Sequence, residues 1–244
     1  IGTVKIVDGA VPVIINIAEQ TTKGAIEAAR VAKECGAKGL MILPPMRYKA
    51  NDYETITYFK AIANSTDLPI MIYNNPVDYG IEVTLDMFEE MLECKNIEAV
   101  KESTRDISNV TRIKARFGNR LKVLTGVDTL GMESILMGAD GWVAGLVCAF
   151  PAETCAVYEL SKAGKIAEAL EIYRWFLPIL ELDINPQLVQ NIKMAEVATG
   201  IGTERVRAPR LPLIGEERAR VAKVISDGLA KRPKLPAYKQ LNKS

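Results

Sequence analysis

The sequence predicts an α/β fold built on a parallel sheet, and three observations support this prediction. Short apolar runs alternate with amphipathic helical patterns up to about residue 164. The runs are nearly continuously apolar, which is typical of parallel strands covered by helices. Turn signals such as Cys35-Gly36 and Phe117-Gly118-Asn119 separate the elements.

Strands and helices alternate six times in this part of the chain. The predicted strands are residues 11–16, 39–44, 69–74, 97–102, 121–125 and 141–144. The predicted helices are residues 20–35, 51–65, 83–94, 106–117, 128–137 and 152–163. Thr21-Thr22 is interpreted as the N-cap of the first of these helices, because a threonine hydroxyl accepts from the free N–H groups of a first turn.

The rest of the chain is predicted to be helical. Three helices are expected, at 165–184, 187–199 and 215–230, with a break at Leu211-Pro212-Leu213. The predicted domains are a partial barrel (1–164), C-terminal helices (165–232) and a solvated basic tail (233–244). Six strands do not close an eight-stranded barrel. The sheet is therefore either open and doubly wound, or a barrel that lacks two βα units before residue 1.

Composition excludes several classes of partner. The 244 residues carry 31 basic and 30 acidic side chains, so no basic field is available for nucleic acid or a membrane surface. No apolar stretch is long enough to span a membrane, and the start lacks a signal-peptide layout. The four cysteines show no metal-like or CxxC spacing and are interpreted as small hydrophobes in a reducing compartment, which predicts a cytoplasmic protein.

The chain contains no histidine, and this narrows the possible chemistry. Ser-His-Asp and Cys-His catalysis are excluded, and zinc loses its commonest ligand. No metal and no cofactor are expected. Lysine, tyrosine, carboxylates and water remain for proton transfer.

Two polar residues stand at the ends of neighbouring predicted strands. Lys101 ends the run that starts at Ile97, and Tyr73 ends the preceding run. The carboxyl ends of parallel strands meet at one rim, so these side chains are expected to lie together. An amine beside a phenol in a semi-buried pocket is suited to imine chemistry on a ketone.

Strand periodicity predicts where these side chains point. With a period of two, Lys101 and Ser103 share one face and Glu102 lies on the other. Tyr73 shares its face with Asn75 in the same way. The separation from Glu102 matters because an imine-forming lysine attacks in its neutral form, and an adjacent carboxylate would favour the charged form.

At these motifs the chain resembles the dihydrodipicolinate synthase and N-acetylneuraminate lyase group of lysine-dependent aldolases and lyases. The matching segments are Tyr73-Asn74-Asn75-Pro76, Val100-Lys101-Glu102-Ser103-Thr104, Leu124-Thr125-Gly126-Val127-Asp128, Asn185-Pro186 and Arg210-Leu211-Pro212. The resemblance implies a (β/α)8 TIM barrel with a C-terminal helical appendix. In this chain the barrel would lack its first two βα units.

The resemblance also implies residue roles. Lys101 would form a Schiff base with the keto carbon of a 2-oxo acid, and Tyr73 would shuttle protons. Backbone around Gly126 and Val143 would line the pocket. Other substrate contacts are assigned to Ser103, to Asn75, and to either Arg47 or Tyr48 in place of a second pocket tyrosine. Homodimers or homotetramers are expected.

Two departures from the family pattern affect the choice of reaction. The Thr-Thr-Gly-Glu-type segment that binds the substrate carboxylate has no counterpart, since the first strand looks like the family's third. Synthases carry an arginine for a second carboxylate where this chain has Asp78.

The motifs look most like the branch of 1-pyrroline-4-hydroxy-2-carboxylate deaminases in hydroxyproline breakdown. There the lysine would attack the C=N carbon of a cyclic imine, and 2,5-dioxopentanoate would leave after loss of water and ammonia. Three alternatives stay open: a 2-keto-3-deoxy sugar-acid aldolase or dehydratase, a dihydrodipicolinate synthase-like enzyme, and an inactive barrel remnant that acts as a binding module.

Overall fold

The computed structural model describes residues 1–143 and 145–241. The chain forms two compact units, the first covering Ile1–Leu124 and the second beginning at Thr125. In both units the predicted α/β alternation is present. The domain boundaries expected at 164 and 232 follow changes in element type and stay a prediction, as does the absence of two βα units.

A parallel sheet organises the first unit. Its strands are β1 (Ile14–Ile17), β2 (Gly39–Ile42), β3 (Ile70–Asn74), β4 (Ile97–Glu102) and β5 (Lys122–Thr125), which crosses into the second unit by one residue. The strands lie side by side in chain order, and β1 to β4 pair in parallel. The predicted strands are therefore confirmed with small changes at their ends.

Helices precede the first strand and connect the others. They are α1 (Gly2–Val7), α2 (Thr22–Glu34), α3 (Asp52–Ala63), α4 (Pro76–Tyr79), α5 (Leu85–Met91) and α6 (Ile107–Phe117). The Thr21 hydroxyl accepts from Gly24 N at 3.1 Å, which confirms the predicted N-cap. Two short helices, α1 and α4, were missed because each is too short to show an apolar period.

The core of the first unit comes from the strands and from the inner faces of the helices. Ile42, Ile72 and Val100 are fully buried on successive strands. Phe59 on α3 and Phe88 on α5 are fully buried as well. Burial of these positions explains why the strands are rich in apolar residues, and it favours one register.

The second unit is mainly helical. After the last residue of β5 it contains α7 (Gly131–Leu136), β6 (Gly141–Trp142), α8 (Pro151–Lys162), α9 (Ile166–Leu180), α10 (Leu188–Ala198) and α11 (Gly215–Ala230). The last predicted strand is shorter than expected, and its final residue, Ala144, lies outside the described residues. The helix predicted at 165–184 ends at Leu180 and continues as a 3₁₀ turn, Glu181–Asp183.

Aromatic side chains fill the core of this second unit. The rings of Phe150 and Phe176 are 5.2 Å apart and fully buried, and Trp175 stacks on Phe176. Phe150 and Trp175 therefore pack in this core. Two cysteines differ from expectation: Cys148 and Cys155 are exposed, because they lie on outward faces of a 3₁₀ turn and of α8.

In the part of the chain that the structure describes, every helix is too short or too polar to cross a bilayer.

A buried carboxylate, Asp128, joins the loop after β5 to its surroundings in the second unit. It is 1% exposed and accepts from Trp142 Nε1 at 3.2 Å and from Val147 N at 3.1 Å. Burial, and the charge of Asp183, raise the pKa of Asp128 to about 7. The folded protein therefore keeps this residue mainly protonated below about pH 7.

This raised pKa predicts how stability changes with pH. The contribution of Asp128 is complete below about pH 4, the pKa of an unfolded aspartate, and is lost as the pH rises through about 7. Asp128→Asn removes the charge but keeps only one of the two oxygens that accept from Trp142 Nε1 and Val147 N, which costs some stability at every pH. We expect the unfolding free energy of the variant to fall less between pH 5 and pH 8 than that of the unsubstituted protein, by about 3 kcal/mol at most.

Melting curves between pH 5 and pH 8 measure this effect. Asp52→Asn, at an exposed position in α3, is the matched control. Parallel pH profiles for Asp128→Asn and the unsubstituted protein would contradict the expectation.

Candidate active site

The predicted pair of Lys101 and Tyr73 is present at the end of two neighbouring strands. Tyr73 on β3 is the register partner of Lys101 on β4. Lys101 Nζ lies 4.0 Å from the centroid of the Tyr73 ring, and the lysine is only 9% exposed. An amine is thus held against the face of a phenol in a largely buried position, as the strand interval predicts.

Glu102 points away from this pair, as the period of two requires. Its buried carboxylate accepts from Thr104 N at 2.8 Å and from Asn109 Nδ2 at 2.9 Å, on the side of α6. Burial raises the pKa of Glu102, and these hydrogen bonds oppose the rise. The nearest carboxylate in the sequence is therefore occupied by other partners and does not face the lysine amine.

Asn74 holds the loop that follows this rim. Its Oδ1 accepts from Val83 N at 2.9 Å and its Nδ2 donates to Val83 O at 3.0 Å. Its carbonyl accepts from Ser103 N at 2.9 Å. A fully buried amide side chain thus fastens the chain after α4 to β3, and it keeps the ends of β3 and β4 in register.

Asn75 contacts the phenol directly. Its buried side chain caps α4, where Oδ1 accepts from Asp78 N at 3.2 Å. Its Nδ2 donates to Asp78 Oδ2 at 2.7 Å and to the Tyr73 hydroxyl at 3.3 Å. The structure therefore brings Asn75 together with Tyr73 and adds Asp78, one hydrogen bond further from the phenol.

Ser103 carries an unused hydroxyl. The residue follows β4 directly and is 2% exposed. Among the described residues its Oγ has no hydrogen-bond partner. A buried hydroxyl without a partner costs free energy, and it becomes satisfied if a ligand oxygen reaches it.

Tyr48 interacts with a different residue, Glu54, and is exposed. Its side chain is 59% exposed, and a hydrogen bond with Glu54 at the start of α3 raises the pKa of its phenol. Arg47 is exposed as well. Glu54 is therefore the neighbour that affects the Tyr48 phenol. A substrate contact by Tyr48 or Arg47 stays a prediction.

Gly126 and Val143 belong to the second unit. Gly126 follows Thr125, the last residue of β5, and Val143 N donates to Thr125 O at 2.8 Å. These two residues therefore lie beside each other at the ends of β5 and β6. Their backbone is available for contacts, but their role in a pocket stays a prediction.

Tyr79 is a further residue at this site and was not predicted from the sequence. Its ring meets the Tyr73 ring edge to face, with centroids 5.4 Å apart at 86°. Burial, followed by the neighbouring Tyr73 phenol, raises the pKa of Tyr79. The signal in the sequence is a single helical turn, started by Asn75-Pro76 and ended by Gly80, which returns Tyr79 to the strand end.

Comparison with known proteins shows which family and which folds this chain resembles. The model of the dihydrodipicolinate synthetase family matches residues 2–227. The 4-hydroxy-tetrahydrodipicolinate synthase of Oceanobacillus iheyensis is 29% identical over 225 residues, covering 92% of this chain and 76% of the relative. The enzyme of the same name from Bacillus velezensis is 30% identical over 225 residues, covering 92% and 78%.

Solved structures give the same result for the fold. The 4-hydroxy-tetrahydrodipicolinate synthase of Methylacidiphilum fumariolicum SolV superposes with a TM-score of 0.86 at 26% identity, over 94% of this chain and 78% of that one. A catalytic lysine mutant of the Ruminococcus gnavus sialic acid aldolase gives 0.83 at 26% identity, over 94% and 77%.

The network around Asn74 predicts a stability effect. Asn74→Ala leaves Val83 N and Val83 O without their side-chain partners, so we expect a loss of about 1–3 kcal/mol in unfolding free energy. Chemical denaturation measures the change. Asn119→Ala, at an exposed turn, is the control and should be nearly neutral. Equal midpoints for the two variants would show that the Asn74 network does not stabilise the fold.

Proposed function

Since the chain belongs to the dihydrodipicolinate synthetase family, we propose that Lys101 is the amine that forms a Schiff base with the keto carbon of a 2-oxo acid. The observation that carries the proposal is the buried Lys101 amine, 4.0 Å from the ring centroid of Tyr73. The catalytic lysine in the name of the sialic acid aldolase neighbour supports it. The proposed class is a Schiff-base lyase.

The proposed chemistry begins with addition of the neutral Lys101 amine to the keto carbon. Loss of the former keto oxygen as water gives the imine, whose positive nitrogen draws electrons from the neighbouring carbon. The Tyr73 hydroxyl donates the proton that the departing oxygen needs, and it recovers a proton when a C–H bond is broken. In the condensation direction, the resulting enamine adds to an electrophile. In the lyase direction, cleavage of a carbon–carbon bond in the imine produces the same enamine.

Substrate contacts are proposed for the residues around this pair. The unpaired Ser103 hydroxyl would donate to the substrate carboxylate, because a buried donor gains most from an anionic acceptor. Asn75, which already contacts the Tyr73 hydroxyl, would orient that phenol. Backbone at Gly126 and Val143, and the side chain of Tyr48, are further proposed contacts.

A pyruvate-like 2-oxo acid is the substrate we propose first. The curated relatives with matches over most of this chain are named as 4-hydroxy-tetrahydrodipicolinate synthases, which favours a synthase-like condensation over the deaminase assignment. Pyruvate offers the keto carbon that Lys101 attacks, and its methyl group supplies the enamine carbon.

Deamination of 1-pyrroline-4-hydroxy-2-carboxylate remains a second candidate, supported by one observation. Asp78 places a carboxylate two hydrogen bonds from the Tyr73 oxygen, where the family resemblance expects an arginine for a second substrate carboxylate. Because like charges repel, this acid disfavours a dicarboxylate intermediate. The cyclic imine carries only one carboxylate. It also carries a hydroxyl group, which can donate a hydrogen bond to the Asp78 carboxylate.

Borohydride trapping tests the proposal. Borohydride reduces an imine to a stable secondary amine, so incubation with pyruvate should add the reduced pyruvyl group to one lysine. We expect mass spectrometry of the digested protein to locate it on Lys101. A parallel incubation with the pyrroline substrate, followed by detection of 2,5-dioxopentanoate, separates the second candidate from the first.

Two variants control this experiment. Lys101→Ala should give no adduct, whereas Lys95→Ala, at an exposed lysine on the preceding loop, should be modified normally at Lys101. A folded, unsubstituted protein that yields no adduct with either substrate would favour the binding-module alternative.

Tyr73→Phe tests the proton shuttle separately. The variant keeps the aromatic ring beside Lys101 but removes the hydroxyl, so the rate at which the trapped adduct accumulates should fall by about 10²–10⁴-fold. Quenched time courses measure this rate. An unchanged rate together with a lowered melting temperature would mean that Tyr73 serves only in packing.

A further inference from the structure

Tyr79 is fixed in position by the short helix α4. Asn75 starts this helix, where Tyr79 N donates to Asn75 O at 3.0 Å. Gly80 ends it in the left-handed region, with φ 72°, and its N–H donates to Pro76 O at 2.9 Å. One closed turn therefore carries the chain from the end of β3 back to the same rim, with Tyr79 at its last position.

The Tyr79 side chain faces the Tyr73 phenol. The two rings meet at 86° with centroids 5.4 Å apart, and burial, together with the Tyr73 phenol, raises the pKa of Tyr79. Burial is the main cause of the raised pKa of Tyr79, so this phenol keeps its proton at neutral pH and remains a donor. Asn75 Nδ2 donates to the Tyr73 oxygen at 3.3 Å, and the Tyr79 hydroxyl is the other donor group on the ring that packs against Tyr73.

Two donors around one phenol oxygen suit a group whose charge changes during reaction. When Tyr73 gives its proton to the leaving oxygen of the substrate, its own oxygen becomes negative. A preorganised O–H or N–H that points at this oxygen stabilises the charge as it develops. The proton returns to Tyr73 from the substrate carbon, and no proton is lost from Tyr79 in the cycle.

We propose that Tyr79 is a positioning residue that holds Tyr73 against Lys101 and stabilises the Tyr73 oxygen while it is deprotonated. The inference rests on the proposed function, since it gives Tyr79 a role only if Tyr73 transfers protons. It extends the site to the last residue of α4, which lies outside the predicted strands. The contact lies entirely within the first unit.

Tyr79→Phe tests this role, because it keeps the ring and removes the hydroxyl. The rate to follow is the exchange of pyruvate methyl protons with D₂O, which reports proton transfer after imine formation. We expect kcat for exchange to fall by about 3–10-fold, the value of one lost hydrogen bond, with the amount of borohydride-trapped adduct on Lys101 unchanged. We also expect the alkaline side of the kcat–pH profile to shift.

Controls separate this role from packing. Tyr53→Phe removes a hydroxyl from a tyrosine that is 78% exposed on α3 and should leave exchange unchanged. Tyr79→Leu removes the ring as well and should lower the melting temperature more than Tyr79→Phe. A drop in kcat by the same factor at every pH, or no drop at all, would overturn the inference alone. Absence of any adduct in the unsubstituted protein would overturn both it and the proposed function.

Discussion

The pairing of β3 with β4 is the constraint on which the rest of the site depends. Parallel register places Tyr73 opposite Lys101 after an irregularity between Ile70 and Met71, and burial of Ile72 and Val100 holds this register. A shift of one residue would turn Lys101 away and bring Glu102 to the face of the phenol. The hydrophobic core therefore sets the position of the Lys101 amine. This position beside the Tyr73 phenol is what suits the amine to imine formation.

Polar side chains at this rim keep the buried amine usable. Glu102 is held by Thr104 and Asn109 on the opposite face, so its charge does not pair with the lysine. Asn74 fastens the following loop, and Asn75 reaches the Tyr73 hydroxyl. Buried hydrogen bonds of this kind are costly when incomplete, which favours a single arrangement of the site.

The strands and the Lys101–Tyr73 pair could be predicted because period, burial and strand interval are local properties. The Thr21 cap was predictable for the same reason. Tyr79 was not, since its contact depends on a four-residue helix that no apolar period announces. Tyr48 is an exposed side chain whose phenol has a pKa raised by Glu54 at the start of α3, and its predicted substrate contact stays a prediction. The substrate depends on side chains such as Asp78 and Ser103, and their partners are set by tertiary packing.

Exchange of the pyruvate methyl protons with D₂O, followed by proton NMR, tests the account most directly. Exchange requires the imine on Lys101 and proton transfer by the neighbouring phenol, so it reports both members of the strand pair. The account predicts exchange well above the buffer rate for the unsubstituted protein and none above it for Lys101→Ala. Exchange that persists in Lys101→Ala, or a folded unsubstituted protein that catalyses none, would contradict it.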